Sequence, residues 1–137
     1  MPSVEISYGD FFDRYTILLV KLDQLPSIQH VNLENELVSY RAELSELDIP
    51  DSISQTIDDL HDVNKSIWIE MNKFYELAST LNPTNGNLVQ LTIDITALNQ
   101  KRAFLKREID QVFVSTFSEE KSYFADSGQV LINREES

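Results

Sequence analysis

The stretch LVQLTIDITALNQKRAFLKREIDQVFVST, residues 88–116, decides the fold of this chain. Its apolar side chains return at alternating intervals of three and four residues, which is the spacing of a helix packed along a second long helix. The positions with this spacing are Leu88, Leu91, Ile95, Leu98, Arg102, Leu105, Ile109, Val112 and Thr116. Arg102 stands in the middle of this stripe, where an apolar residue is expected, so it needs a structural or a functional reason.

The stretch of residues 52–81 repeats the same spacing. Its positions are Ile53, Ile57, Leu60, Asn64, Ile67, Met71, Phe74, Ala78 and Leu81. The segment NPTNGN, residues 82–87, separates the two stretches and is rich in turn-forming residues. Because a short loop makes successive helices antiparallel neighbours, the sequence predicts a long antiparallel coiled-coil hairpin of residues 52–81 and 88–116.

Two shorter helices are predicted before the hairpin. The S-x-x-D sequence at Ser7 is typical of a helix start and Pro26 forbids continuation, so the first helix spans about residues 8–25. It is apolar on most sides, which predicts a central position or a place in a subunit interface. The second helix, about residues 32–47, has one apolar side, as surface helices do, and Asn32 is its predicted N-cap.

The fold class predicted from these elements is all-α, a helical bundle. Its 137 residues are the length of one domain, which we assign to residues 1–123. Residues 125–137 lose the helical spacing, and residues 124–137 are interpreted as a C-terminal extension. This extension is either disordered or holds a short strand, residues 128–132, that pairs with residues 3–6.

Composition and charge exclude several classes of function. The formal net charge of −12 argues against nucleic acid and anionic membrane surfaces as partners, because like charges repel. No apolar run approaches the roughly 20 residues of a transmembrane helix, and the first residues do not resemble a signal peptide. The lack of cysteine excludes disulfides and thiolate metal sites and fits a cytoplasmic location.

Basic residues are concentrated in one part of this acidic chain. Four of the eleven fall within seven residues: Lys101, Arg102, Lys106 and Arg107. The residues of this stretch that share one helix face are Asn99, Arg102, Lys106 and Asp110. The four bases therefore do not form a single patch. A buried guanidinium without a partner is costly, so Arg102 must find an acceptor. The acceptors within reach are Asn64, Glu70, Asp10, Asp13 or a bound anion.

Three interpretations of Arg102 follow. In the first, Arg102 and Asn64 form a polar layer that fixes the register of the hairpin, as one buried Asn does in coiled coils. In the second, Arg102 belongs to an anion pocket with Lys106 and with Lys21 or Arg14. In the third, its side chain reaches solvent from the edge of the stripe. The candidate ligand-binding residues are Arg102, Lys106, Lys21, Asn64 and Asp13.

Acidic pairs on consecutive helices are the main signal for a metal. The pairs are Glu43 with Glu46 and Asp59 with Asp62, a pattern that can hold Mg²⁺ in all-helical nucleotide pyrophosphohydrolases. These acids flank apolar positions and are predicted to face water. His30 and His61 have no ligand partner at a useful spacing, and the sequence has no phosphate loop or nucleophile elbow. We therefore predict no metal and no cofactor.

Three blocks of the sequence together resemble a known family. They are ISYGDFFDRYTIL (6–18) with Lys21, LHDVNKSIW (60–68) with Glu70, and NQKRAFLKREI (99–109) followed by EEKSY (119–123). They resemble a family of small uncharacterised bacterial and phage proteins, a domain of unknown function. The resemblance implies that Asp13, Lys21, Asn64, Arg102, Lys106, Glu120 and Lys121 belong to the family's motifs, and it implies no activity. Phe11, Phe12, Arg14 and Val114 depart from the family's usual residues.

The function expected from these features is that of a non-enzymatic helical interaction or structural module. We expect it to act as a homodimer, because the first helix has apolar surface left over after it packs against the hairpin. A further protein partner is also expected. The alternative is a protein or enzyme that binds a small anion, such as a carboxylate, phosphate or sugar phosphate, through Arg102 and Lys106. A third hypothesis is Mg²⁺-dependent nucleotide hydrolysis by the acidic pairs. The sequence leaves open whether the protein is an enzyme.

Overall fold

The computed structural model describes residues 6–80 and 85–124, with side chains described for residues 6–80 and 86–114. Within these ranges the chain forms the helices α1 (Tyr8–Gln24), α2 (His30–Glu46), α3 (Ser54–Ala78) and α4 (Asn85–Phe124). Short 3-10 turns, Ser27–Gln29 and Asp51–Ile53, lead into α2 and α3. The described residues contain no strand, so the predicted all-α class is confirmed. The predicted pairing of residues 3–6 with 128–132 lies outside the described residues.

Helix α1 starts and stops where its sequence predicts. The hydroxyl of Ser7 accepts a hydrogen bond from the amide of Asp10 at 3.1 Å, which caps the first turn. The helix ends at Gln24, and Leu25 is already extended because it precedes Pro26. The predicted bounds, residues 8–25, are therefore correct to one residue.

The predicted central position of α1 is also confirmed. It packs against α2, α3 and α4. Its buried residues are Gly9, Phe12, Asp13, Thr16, Leu18 and Val20. Most of them return at intervals of three and four and form the face turned to the hairpin. Two members of this buried face, Asp13 and Thr16, are polar, and polar side chains in such a place need partners.

Helix α2 is a surface helix, as predicted, with no buried residue. The prediction that Asn32 caps it is wrong. The helix begins at His30, and the 3-10 turn before it supplies the preceding turn of backbone, so α2 starts without a side-chain cap. His30 Nε2 lies 2.7 Å from the carbonyl oxygen of Leu25, which holds this connection against the end of α1.

The hydrophobic core lies where α1, α3 and α4 meet. Its buried residues are Phe12, Ile53, Leu60, Val63, Leu105 and Ile109. Leu44 and Leu47 pack against this cluster from the end of α2. Because Leu60, Leu105 and Ile109 are stripe positions of the predicted hairpin, the heptad spacing identified the core-facing sides of both long helices correctly.

Helices α3 and α4 pack against each other along the bundle. Near the connection between α3 and α4, Leu77 and Leu91 line the same surface depression. Further from the connection, Asn64 and Arg102 both bind the side chain of Asp13 on α1. Both levels of contact fit the predicted antiparallel hairpin, whose detailed geometry stays a prediction. Knobs-into-holes packing of the heptads stays a prediction.

The ends of the two long helices differ from the predicted ones. Helix α3 occupies Ser54–Ala78, and the 3-10 turn before it takes up the rest of the predicted start. Helix α4 begins at Asn85, so the prediction that residues 85–87 belong to the loop is wrong. The first turn of a helix has amide groups without intrahelical acceptors, so polar residues and glycine are tolerated there. Among the described residues, no helix has the length and apolarity needed to cross a membrane.

Candidate functional site

Asp13 on α1 and Arg102 on α4 form a two-point ion pair. Nε of Arg102 donates to Oδ1 of Asp13 at 2.8 Å, and Nη2 donates to Oδ2 at 2.6 Å. The Asp13 side chain is 5% exposed. A third donor of Arg102, Nη1, reaches Oδ1 of Asn99 at 3.3 Å. Asp13 is therefore the acceptor that the position of Arg102 in the apolar stripe requires.

Asn64 brings α3 to the same carboxylate. Its Nδ2 donates to Oδ1 of Asp13 at 3.1 Å and to the hydroxyl of Thr16 at 3.0 Å. The Thr16 hydroxyl in turn donates to the carbonyl oxygen of Phe12 at 2.8 Å. Asp13, Thr16 and Asn64 are the buried polar residues of the described chain, and all three belong to this one network. The network ties α1, α3 and α4 together at a single point.

Lys106 adds a second connection between α1 and α4, one turn after Arg102. Its Nζ lies 2.8 Å from Oδ1 of Asp10 and 3.8 Å from Oδ2 of Asp13. Glu70, another acceptor that the sequence offered, is instead 3.2 Å from Lys73 on the surface of α3. The acids of the first helix, rather than those of the third, neutralise Arg102 and Lys106.

Gly9 and Asp110 form the third connection. The amide of Gly9, in the first turn of α1, donates to Oδ1 of Asp110 at 2.7 Å. A carboxylate in this place also stabilises the positive end of the helix dipole. A Cβ atom at Gly9 would overlap the carbonyl oxygen of Lys106. The first turn of α1 can lie this close to α4 because residue 9 has no side chain.

The contacts shift the pKa values of the groups they join. Burial alone would raise the pKa of Asp13, but hydrogen bonds from Arg102 and Asn64 and the charges of Arg102 and Lys106 outweigh it and hold the pKa below its usual range. The hydrogen bond from Lys106 lowers the pKa of Asp10. The hydrogen bond to Asp13 raises the pKa of Arg102. Asp13 and Asp10 are therefore ionised at neutral pH and pair with charged bases.

The polar cluster, defined as Asp10, Asp13, Asn64, Arg102, Lys106 and Asp110, is not a basic pocket. Its two bases face three acids, which leaves a formal charge of −1. Carboxylates already occupy the positions that an anion would take beside Arg102 and Lys106. An anion at Arg102 or Lys106 would therefore compete with the carboxylates of Asp13 and Asp10.

The structure assembles four of the five predicted ligand-binding residues. Arg102, Lys106, Asn64 and Asp13 are in contact with one another or with a shared partner. Lys21 follows Asp13 by eight residues on α1, which is roughly 12 Å along the helix axis. It forms no ion pair with the cluster among the described contacts. Arg14, the other base considered for the pocket, is exposed.

The acidic pairs do not converge. Glu43, Glu46 and Asp62 are exposed, as their flanking positions predicted, and Asp59 is half-buried. Across the described side chains there is no group of three His, Cys, Asp or Glu residues that could hold a metal ion. Nothing in this part of the chain favours Mg²⁺-dependent hydrolysis.

A surface depression of about 520 Å³ lies beside the connection between α3 and α4, away from the polar cluster. It is open and is lined by the end of α3 and the start of α4, with Leu77 and Leu91 on its walls. Lys73, which also lines it, is paired with Glu70. Its polar lining residues, Lys73, Glu76, Thr80, Asn87 and Gln90, are all exposed, so the depression does not enclose a ligand as binding sites usually do.

Two residues of the cluster's surroundings were missed in the sequence. Thr16 lies three residues after Asp13, on the same face of α1, so its spacing to Asp13 was the available signal. Gly9 is a glycine in the first turn of a helix, where a close approach of another backbone is one reason for its presence. Neither residue indicates which helix packs against it, because that depends on contacts between residues 48 and 101 positions apart in the sequence.

Comparison with known proteins gives no further identification. No protein-family model, no curated protein and no solved structure matches this chain. The resemblance of the three blocks to an uncharacterised family stays a prediction. The function is therefore argued from the polar cluster and from the exposed surface.

Proposed function

We propose that this protein is a non-enzymatic helical interaction module that acts as a homo-oligomer. The observation that carries this proposal is the closed polar cluster, in which Asp13 and Asp10 neutralise Arg102 and Lys106. Arg102, the basic residue in the apolar stripe of α4, is paired with Asp13 of the same chain. This favours a bracing role over a catalytic or ligand-binding one.

The geometry of the cluster suits a brace. Asp13 accepts hydrogen bonds from α3 and α4 at once, so it fixes the positions of both long helices relative to α1. Buried polar groups of this kind specify one packing arrangement, because any other arrangement leaves a charge without a partner. A module that presents a surface to a partner gains from such a fixed arrangement.

The exposed surface supports an association function. Several large apolar side chains on the outside of α2 and α4 are more than half exposed: Val31, Val38, Val89, Ile93, Phe104 and Val114. Exposed apolar side chains are typical of protein contacts when they form a patch on one side of a helix. The charge of −12 makes nucleic acid and anionic membranes poor partners, and it also repels a second copy of this chain except across a surface without acids.

Sedimentation equilibrium tests the proposal. We expect the wild-type chain to associate reversibly as its concentration rises from about 1 μM to 1 mM, the range of moderate to weak affinities. Because apolar contacts are not screened by salt, the association should persist in high salt. A monomer at every concentration would contradict the homo-oligomer.

Binding of a small anion is the second candidate function. One observation favours it: the side chains of Arg102 and Lys106 remain 30% and 27% exposed, so solvent reaches both bases. A carboxylate, phosphate or sugar phosphate that displaced Asp13 or Asp10 could bind both of them. The cost is a buried carboxylate that has lost its partner, which is why we rank this candidate second.

The same proposal extends to family and location. Asp13, Asn64 and Arg102 come one from each of the three blocks that resemble the uncharacterised bacterial and phage family, and their mutual contact supports the view that these blocks form one unit. The cysteine-free composition supports a cytoplasmic location. Expression in a bacterial cell followed by fractionation tests the location.

A further inference from the structure

The side of α4 that faces away from the core carries a second apolar stripe. Val89, Ile93, Phe104 and Val114 are each more than half exposed. At 3.6 residues per turn they fall within about 80° of arc, opposite the core positions Leu98 and Leu105. The other residues on this side are Thr96, Gln100, Arg107 and Gln111, all exposed. We call these eight residues the outer face of α4.

Among the described side chains, those of the outer face form the least acidic surface of this acidic protein. Every exposed side chain of α4 between residues 86 and 114 is neutral or basic. Its acids Asp94 and Glu108 are half-buried and lie around the side of the helix, and Asp110 is held by the amide of Gly9. Exposed acids occur on each of the other helices: Asp23 on α1, Glu34, Glu36, Glu43 and Glu46 on α2, and Asp58, Asp62 and Glu76 on α3.

We propose that the outer face of α4 is the surface through which two copies of this chain associate, with their α4 helices antiparallel. The inference rests on the proposed homo-oligomeric function and names its surface. Each copy carries a charge of −12, so two copies repel each other across any acidic face. The outer face of α4 is the apolar surface on which this repulsion is smallest.

The single charge on the outer face selects the antiparallel arrangement. In a parallel pair, Arg107 would stand opposite its own copy and repel it. In an antiparallel pair that sets Val89 of one copy against Val114 of the other, the two Arg107 residues lie about 16 Å apart along the axis. That separation exceeds the Debye length of about 8 Å at physiological salt. The same register brings the two Gln100 residues together near the two-fold axis and sets Phe104 beside them.

The size of the outer face predicts a weak dimer. From Val89 to Val114 it is about 38 Å long at 1.5 Å per residue, so a helix pair would bury roughly 800 Å² in total. This area is below the roughly 1,200–2,000 Å² of stable specific interfaces and is typical of weak, transient contacts. We therefore expect association in the micromolar range or weaker, with Phe104 as its apolar centre.

A charge at Phe104 tests the surface. The variant Phe104→Glu is expected to weaken self-association at least about tenfold, because each copy would bring a carboxylate to the apolar centre of the contact. Its helix content and melting temperature should match wild type, since Phe104 is exposed in the single chain. The matched control is Tyr75→Glu, an exposed aromatic on α3, which should associate as wild type does.

Cysteine cross-linking tests the orientation, and the chain has no cysteine of its own. Under mild oxidation, Gln100→Cys should form a disulfide-linked dimer, whereas Val89→Cys alone should not. A mixture of Val89→Cys and Val114→Cys should form the mixed dimer. The control Asn72→Cys, exposed on α3, should remain monomeric.

The outcomes separate this inference from the proposed function. If wild type associates but Phe104→Glu associates equally well and Gln100→Cys does not cross-link, the outer face is wrong and the homo-oligomer stands. If Val89→Cys cross-links to itself, the antiparallel arrangement is wrong. If wild type is monomeric throughout, both the surface and the homo-oligomer are wrong.

Discussion

Arg102 holds the carboxylate of Asp13 with two hydrogen bonds of 2.8 and 2.6 Å, across the contact between α4 and α1. The two residues are 89 positions apart in the sequence, and each stands on the core-facing side of its helix. The pair explains why a basic residue interrupts the apolar stripe of α4. Asn64 completes it from α3, so one carboxylate fixes three helices.

Replacing Arg102 should lower the free energy of unfolding more than replacing an exposed base does. We expect Arg102→Met to lower the free energy of unfolding by about 2–3 kcal/mol at pH 7, because the 5%-exposed carboxylate of Asp13 loses its principal partner. This is below the usual range for a fully buried pair, since Arg102 is itself partly exposed. Urea denaturation measures the change. The control Lys101→Met, an exposed base beside it, should stay within about 0.5 kcal/mol of wild type; an equal loss in both would argue against a specific brace.

A carboxylate introduced at position 64 should be repelled by the carboxylate of Asp13. We expect Asn64→Asp to lower the free energy of unfolding by about 1–3 kcal/mol at pH 7, because Asn64 donates to Asp13 and an ionised Asp cannot. The loss should shrink as the pH falls toward 5, where one of the two carboxyl groups can hold a proton. Thermal unfolding at both pH values measures it. Asn72→Asp, exposed on the same helix, is the control, and a pH-independent loss would contradict the account.

Two glycines in first helical turns should respond in opposite directions. Gly9→Ala should destabilise the fold by about 1–3 kcal/mol, because its Cβ meets the backbone oxygen of Lys106 and α1 must move away from α4. Gly86→Ala should be neutral or stabilising by up to about 1 kcal/mol, because a Cβ there has open space. Denaturation of the two variants side by side measures the difference. A stabilised Gly9→Ala would show that α1 and α4 are not in close contact.

The ion pairs of α1 predict loss of stability in acid. The folded-state pKa values of Asp13 and Asp10 lie below those of the unfolded chain, so the stability they contribute is complete above about pH 5 and is lost as the pH falls through their folded pKa values. We expect Asp13→Asn to be less stable than wild type at pH 7 and to lose less between pH 5 and about pH 3. Thermal melts across that interval measure the slope. Asp62→Asn, whose side chain is exposed, should keep the wild-type slope, and identical slopes for all three proteins would contradict the assignment.

The sequence predicted the helices well because their signals are local. The stripe of α4, the Ser7 cap and Pro26 each act within a few residues, and the structure has the predicted helices close to the predicted places. The sequence offered Asn64, Glu70, Asp10 and Asp13 as possible acceptors for Arg102. It could not identify Asp13 among them, because that depends on which face of α1 packs against α4. The buried face of α1 includes Gly9 and Thr16, whereas the larger and more apolar Tyr8 is exposed and Tyr15 is half-buried. Packing three helices around one carboxylate is a long-range requirement that overrides the local apolar pattern.

The central claim, that the basic residues of α4 brace the bundle instead of binding a ligand, is tested most directly by thermal unfolding against a panel of anions. Wild type and Arg102→Met would each be melted with carboxylates, phosphates and nucleotide sugars in excess. The account predicts that no compound raises the melting temperature of wild type beyond a simple salt control, since Asp13 and Asp10 already neutralise Arg102 and Lys106. A class of anion that stabilised wild type but not Arg102→Met would contradict the account and identify the cluster as a binding site.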